Sequence, residues 1–223
     1  MTNMILKGVV GSKAYGLDTP ESDTDKMGIF ITPTAELLSL RGSPVESVQE
    51  HDPDRTYHEV GKFMKMYLAG NPNVLELLWL DDYEIRDPES FFLFTNREAW
   101  LSRRVRDAYR GYAKQQFHRL ERKVLELDKR PEGKSPEKLA RHLIRLCQQG
   151  AHIWQTGEVQ VRLPNGEAIK DAAAEIVNYR DMRLAEDHLN RLRRITNEDT
   201  QLPRNPDMET AETSLLDIRK RNF

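Results

Sequence analysis

Two short polar clusters near the amino end carry residue types that could do phosphoryl chemistry. Gly11-Ser12-Lys13-Ala14-Tyr15-Gly16 follows an apolar run that includes Met4-Ile5-Leu6 and Val9-Val10. Ser22-Asp23-Thr24-Asp25 leads into a second run, Gly28-Ile29-Phe30-Ile31. In a strand, side chains two apart project from the same face. The spacing therefore predicts that Asp23 and Asp25 project together, close enough to share divalent cations. Hard carboxylate oxygens suit Mg²⁺, and a glycine-serine turn offers backbone N–H groups and a hydroxyl to a triphosphate. Transfer of a nucleotidyl group needs that combination.

Two commoner motifs compete for these letters, and both fail. Gly11 to Gly16 begins like a P-loop, but Leu17-Asp18 stand where a lysine and a Ser/Thr are required. Asp23 to Gly28 begins like a calcium loop, but Met27 and Thr34 occupy positions that need oxygen ligands. A plain polar turn is the remaining alternative. The apolar runs flanking both clusters argue against it.

Gly-Ser-x-Ala-Tyr-Gly followed by Ser-Asp-x-Asp resembles the minimal nucleotidyltransferases of the DNA polymerase beta superfamily. More narrowly, the chain resembles the bacterial and phage nucleotidyltransferases associated with RNA-repair ligases. Further segments carry that likeness: Tyr57-His58-Glu59-Val60-Gly61-Lys62-Phe63, Gly70-Asn71-Pro72-Asn73 through Trp79, Gly111-Tyr112-Ala113, and Lys138 through Glu158. The resemblance spans roughly residues 5 to 185. It implies an α+β fold, with a minimal nucleotidyltransferase domain (a small mixed sheet flanked by helices) followed by a helical domain. It implies transfer of a nucleoside monophosphate from an NTP to an acceptor hydroxyl with two Mg²⁺ ions, Mn²⁺ as a substitute ion, and release of pyrophosphate. It also implies a third carboxylate on a neighbouring strand, joining Asp23 and Asp25 in catalysis and metal binding. Asp54 is favoured because it precedes the β-prone Arg55-Thr56-Tyr57. Glu59 is the alternative, although it falls where a carboxylate would favour the first turn of a helix; Asp52 is weaker still.

Cations must balance a triphosphate. Lys13 in the turn and Lys62 on the following helix are candidates, beside Gly11, Ser12, Tyr15 and Ser22. Lys138, His142 and Arg145 share one helix face by spacing, and because the resemblance falls on them they are assigned to the nucleotide or acceptor. Arg103, Arg106, Arg110 and Lys114 form a basic ridge. That ridge is either a solvated exterior or a groove for an RNA backbone. The acceptor stays open among an RNA 3′ end, a protein side chain and a small molecule. A non-catalytic nucleotide- or nucleic-acid-binding module on the same scaffold, or an assembly protein, are the other classes.

The chain has 223 residues, 38% apolar and 31% charged, with net charge −2 from 34 basic and 36 acidic side chains. That balance argues against nucleic-acid binding over the whole surface and leaves room for a local basic patch. A single cysteine, Cys147, cannot form an internal disulfide and falls in an apolar helical pattern, so it reads as packing in a reducing compartment. No apolar run approaches the about 20 residues of a membrane span, and the N-terminus lacks signal-peptide character. A cytoplasmic protein without a membrane partner is expected.

Pattern and composition divide the chain into a mixed segment over 1–97, a helical segment over 98–195 and a polar tail over 196–223; the resemblance makes the first the catalytic domain and the second the substrate-binding domain. Strands are expected at 5–10, 26–31 and 54–58, with a further short one in 82–86. A short helix is expected near 35–39, then a polar loop to 55 holding Gly42, Pro44 and Pro53. Helices are expected over 59–68 and 74–80. Val105, Tyr109, Tyr112, Gln116, Leu120, Val124 and Leu127 mark a long helix with a buried stripe. A loop over 131–136 (Pro131, Gly133) leads to a helix over 137–156, which Gly157 stops. Val159–Leu163 with Asn165-Gly166 reads as a hairpin, followed by one helix from Asp171 to about Arg194. Ser214–Arg219 is a candidate for a short final helix.

Overall fold

In the computed structural model, residues 3–40, 45–51, 54–126 and 135–223 are described. Asp52, Pro53, Gly42, Pro44, Leu127, Pro131 and Gly133 lie outside them. The chain is α+β. Strands β1 (Asn3–Val10), β2 (Asp25–Ile31), β3 (Ser47–His51), β4 (Asp54–Glu59) and β5 (Ile85–Arg86) form one sheet in the order β3-β4-β2-β1-β5. The β2–β4 pair is parallel and the others are antiparallel. In the central β2, Met27 to Ile31 are all buried, as expected for a strand covered on both faces.

Between the strands lie α1 (Ser12–Tyr15), α2 (Thr34–Leu37), α3 (Val60–Leu68) and α4 (Pro72–Leu75). Helix α3 buries Val60, Phe63, Met64, Tyr67 and Leu68 against the sheet, an apolar stripe at helical spacing. Residues Glu76–Trp79 continue α4 as a 3₁₀ turn, so the helix expected over 74–80 is two short pieces. After α5 (Phe91–Asn96), helices α6 (Arg104–Leu125) and α7 (Pro136–Thr156) run antiparallel. The Tyr109–Gln149 and Gln116–Leu139 hydrogen bonds fix that direction. Helices α8 (Gly166–Asn178) and α9 (Met182–Ile195) pack on α7, and α10 (Met208–Arg221) returns to α3 and α5. One hydrophobic cluster runs from Ile5 in β1 to Ile218 in α10. Among the described residues, no helix is long and apolar enough to cross a membrane.

Four expectations are corrected. Strand β3 occupies what reads as a polar loop; Ser-Val-Gln-Glu-His has little apolar alternation, because this edge strand pairs only with β4. No hairpin forms at 159–166. Val159, Val161 and Leu163 are buried alternately, but Leu163 N–H bonds to Tyr15 O and Gln160 O accepts from Gln149. The single helix from Asp171 is two, broken where Arg180 takes φ 52° and Asp181 caps α9 by accepting from Arg183 N–H. The polar C-terminal stretch carries α10, which contains the short helix expected over Ser214–Arg219 but starts earlier, at Met208; Arg219 pairs with Glu59 at 2.6 Å, and Asn222 O at the helix end receives Thr34 N–H.

Candidate active site

The antiparallel β1–β2 register ends with Val10 opposite Asp25. Gly11, the next residue, therefore turns the chain directly beside the Asp25 side chain. It does so at φ 74°, ψ −153°, a conformation nearly confined to glycine. A Cβ here would land on Asp25 Oδ2 and lie 3.0 Å from Asp25 Cγ. The carboxylate thus rests against the bare Cα of the turn. Helix α1 follows at once: Tyr15 N–H bonds to Gly11 O at 3.1 Å and Leu17 N–H to Ser12 O at 2.9 Å. The first N–H groups of such a turn have no partner within it. Among the described residues, the Ser12 hydroxyl is buried with no hydrogen-bond partner.

Strands β2 and β4 are parallel, with Lys26 opposite Arg55. One residue earlier on each strand stand Asp25 and Asp54, which open β2 and β4 at the same level. Registered residues on neighbouring strands face the same way and are separated by roughly 5 Å. Both carboxylates line a cleft of about 480 Å³, together with Gly11, Ser12, Tyr15, Ser22, Lys138 and His142. Two hard oxygen donors at that separation fit a divalent cation between them.

Asp23 is placed differently from the spacing argument. It precedes β2 rather than lying in it, is exposed, and pairs with Lys138 Nζ at 3.3 Å. The strand rule that would align it with Asp25 therefore does not apply. Among the described residues, no three His, Cys, Asp or Glu side chains gather closely enough to hold a metal ion. Asp23 would have to exchange Lys138 for the cation to complete a three-carboxylate set.

Helix α7 descends from the cleft into the core. Lys138 and His142 line the cleft, whereas Arg145 is 0% exposed. Arg145 Nη1 donates to Gln149 Oε1 at 3.0 Å and lies 3.6 Å from Glu76 Oε2. Its guanidinium stacks 4.2 Å from the centre of the Tyr15 ring. Tyr15 OH donates to Glu76 Oε2 at 2.6 Å. Burial pushes the Glu76 carboxyl up to about 7, against the downward pull of Arg145, Tyr15 OH and Gly11 N–H, while nearby Asp25 adds a smaller upward push.

Several candidates lie elsewhere. Lys62 pairs with Glu46 at 3.1 Å, outside the cleft lining, and Lys13 donates to Thr24 Oγ1 at 2.5 Å and borders a separate groove. Glu59, the alternative third carboxylate, caps α3 by accepting from Gly61 N–H and is held by Arg219. The three arginines of the basic ridge have partners within the molecule. Arg103 donates to Leu202 O, and Arg110 binds Thr196 Oγ1, Arg193 O and Asn197 Oδ1, capping the carboxyl end of α9. Arg106 pairs with Asp107. Cys147 is buried, its thiol pushed up to about 12 by burial.

The cleft also contains residues that motif spacing does not reveal. Tyr112, Gln115 and Arg119 of α6, Arg141 of α7, and Glu76 line it. Tyr112 sits on the apolar stripe and reads as core; it faces the cleft instead, partly exposed. Arg119 continues the α6 face three and seven residues beyond Gln116 and Tyr112, the signal that could have found it.

The chain matches the RNA repair pathway DNA polymerase beta family (RlaP) over residues 2–221. No curated protein matches it. Among solved structures, a nucleotidyltransferase-like protein from Exiguobacterium sibiricum 255-15 is similar at TM-score 0.35 and 8% identity, over 99% of this chain and 74% of that one.

Proposed function

The chain belongs to the RNA repair pathway DNA polymerase beta family, a nucleotidyltransferase family, and from that premise we propose that the cleft moves a nucleoside monophosphate from an NTP to an RNA end. One observation carries the reading: Asp25 and Asp54 open adjacent parallel strands, Asp25 rests against the Gly11–Ser12 turn, and all of them line one cleft. An acceptor hydroxyl oxygen attacks the α-phosphorus, the bond to the bridging oxygen of the β-phosphate breaks, and pyrophosphate leaves. Asp54 takes the hydroxyl proton. The turn's N–H groups and the Ser12 hydroxyl donate to the triphosphate. Lys138 exchanges Asp23 for a phosphate oxygen, with His142 beside it. A Mg²⁺ (or Mn²⁺) held by Asp25 and Asp54, joined by Asp23, would supply charge neutralisation and an activated hydroxyl.

The RNA acceptor draws on the family's description and on Arg119 and Arg141, which border the cleft on two helices. In this reading residues 1–97 hold the reacting groups, 98–195 build the opposing wall, and α10 braces the sheet from behind. The test uses α-labelled NTPs and Mg²⁺ with an RNA bearing a 3′ hydroxyl, with the same RNA blocked by a 3′ phosphate, and with protein extract. Label is expected on the open RNA only. Asp25→Asn and Asp54→Asn should each lower transfer about 10³-fold, as loss of several kcal/mol of charge stabilisation implies. No labelled product, or an Asp25→Asn variant as fast as wild type, defeats the proposal; label on protein moves the acceptor to a side chain.

A further inference from the structure

At the floor of the cleft, and running from it into the core, lies a buried polar cluster that the transfer chemistry leaves unused. Glu76 is 2% exposed. Its carboxylate accepts from Tyr15 OH at 2.6 Å, and Gly11 N–H is close enough to pull its pKa down. Gly11 opens the phosphate turn and Tyr15 is the last residue of α1 within it. Arg145 of α7 lies against the same carboxylate and over the Tyr15 ring, and Gln149 receives both Arg145 and Tyr109 OH. Gln149 then donates to Gln160 O, in the segment whose Leu163 N–H bonds to Tyr15 O.

A buried ion pair is an expensive way to fill space, since apolar residues of similar volume often do so at lower cost. A geometric purpose accounts for it better. Gly11 reaches its conformation without strain but could reach many others as easily, so contacts with its surroundings must select this one. Glu76 supplies that restraint through Tyr15, whose N–H bonds to Gly11 O, while Asp25 rests on the Gly11 Cα from the side. We propose that Glu76 is the positioning residue of the phosphate turn, and that Arg145 ties the turn to α7. Ser12 on one side of the cleft and His142 on the other then keep a fixed relation; His142 Nδ1 lies 3.4 Å from Arg145 Nη2. This inference rests on the turn being the triphosphate site.

The probe is Mg²⁺-tripolyphosphate, which engages the turn without base or acceptor. Tyr15→Phe deletes one oxygen and keeps the ring beneath Arg145; Glu76→Gln keeps the shape and removes the charge. Losing one hydrogen bond to a charged acceptor should raise Kd about tenfold in Tyr15→Phe. Glu76→Gln should do at least as much. The double variant should be no worse than Glu76→Gln alone, because the two act as one unit. kcat/KM for NTP transfer should fall in parallel, measured well below the unfolding temperature of each variant. Lower unfolding midpoints with unchanged Kd and kcat/KM would reduce the cluster to a structural role and overturn the inference. So would a Tyr15→Phe variant that binds like wild type, or a wild type that does not bind tripolyphosphate. A wild type that binds the probe but transfers nothing defeats the transfer reaction alone, and the Kd comparison still decides the positioning role.

Discussion

Gly11→Ala is the sharpest test of how the turn and the carboxylate are built together. The native φ of 74° and ψ of −153° belong to a region that costs a residue with a Cβ about 1–3 kcal/mol. The new methyl group also falls on Asp25 Oδ2, with Asp25 Cγ only 3.0 Å away. Relieving that overlap by moving the side chain adds about 1–3 kcal/mol, the usual cost of overpacking. The sum, about 4 kcal/mol at the middle of these ranges, corresponds to a fall of about 8–16 °C in Tm for a chain of this size. The two terms separate in a double-mutant cycle with Asp25→Ala. Without the carboxylate the steric part vanishes and only the backbone part remains, so the coupling should be about 1–3 kcal/mol. Urea unfolding of wild type, both single variants and the double variant measures it. Strict additivity would show that Asp25 does not rest on the turn. A Gly11→Ala protein as stable as wild type would refute the strained conformation as well.

Other outcomes follow from buried charges. Glu76 titrates at about 7 when folded, against an ordinary 4.5. The folded state therefore binds its proton more tightly, and the stability this contributes is full below about pH 4.5, declines as pH rises, and is lost above about 7. The 2.5-unit difference corresponds to roughly 3 kcal/mol. Glu76→Gln lacks that proton, so wild type should lose about that much more stability than the variant between pH 4.5 and 8, read from urea midpoints; parallel curves would contradict the assignment. Arg219→Ala should cost about 3–5 kcal/mol by leaving Glu59 buried and unpaired, and Arg219→Met with Glu59→Gln should recover most of it. An Arg219→Ala midpoint equal to wild type would show that α10 is not fastened there.

What could be read from the letters was local, and what could not was mostly a matter of partners far along the chain. The Gly11–Gly16 turn and the Asp25 strand start announce themselves through residue type and a short apolar run, and Asp54 through the β-prone triplet behind it. Asp23 misleads because the two-residue rule presumes a strand that begins only at Asp25. Glu76 could not be singled out: its partner Tyr15 is 61 residues away, and no pattern around Glu76 distinguishes it from a solvated glutamate. Arg145 fails for another reason. Helical spacing correctly sets it on the face of Lys138 and His142, but seven residues of helix span about 10 Å. Over that length α7 passes from the rim of the cleft to the core, so one face holds an exposed lysine at one end and a fully buried arginine at the other. Only the second half of α10, Ser214–Arg219, was legible, because the buried stripe is small, Ala211, Ser214 and Ile218, while Arg219, Thr34 and Asn222 fasten the helix through polar bonds that hydrophobic periodicity does not count. The polar contacts that hold the turn, α7 and α10 in place are long-range, and they are the ones that decide whether Asp25 and Asp54 meet a phosphate in register.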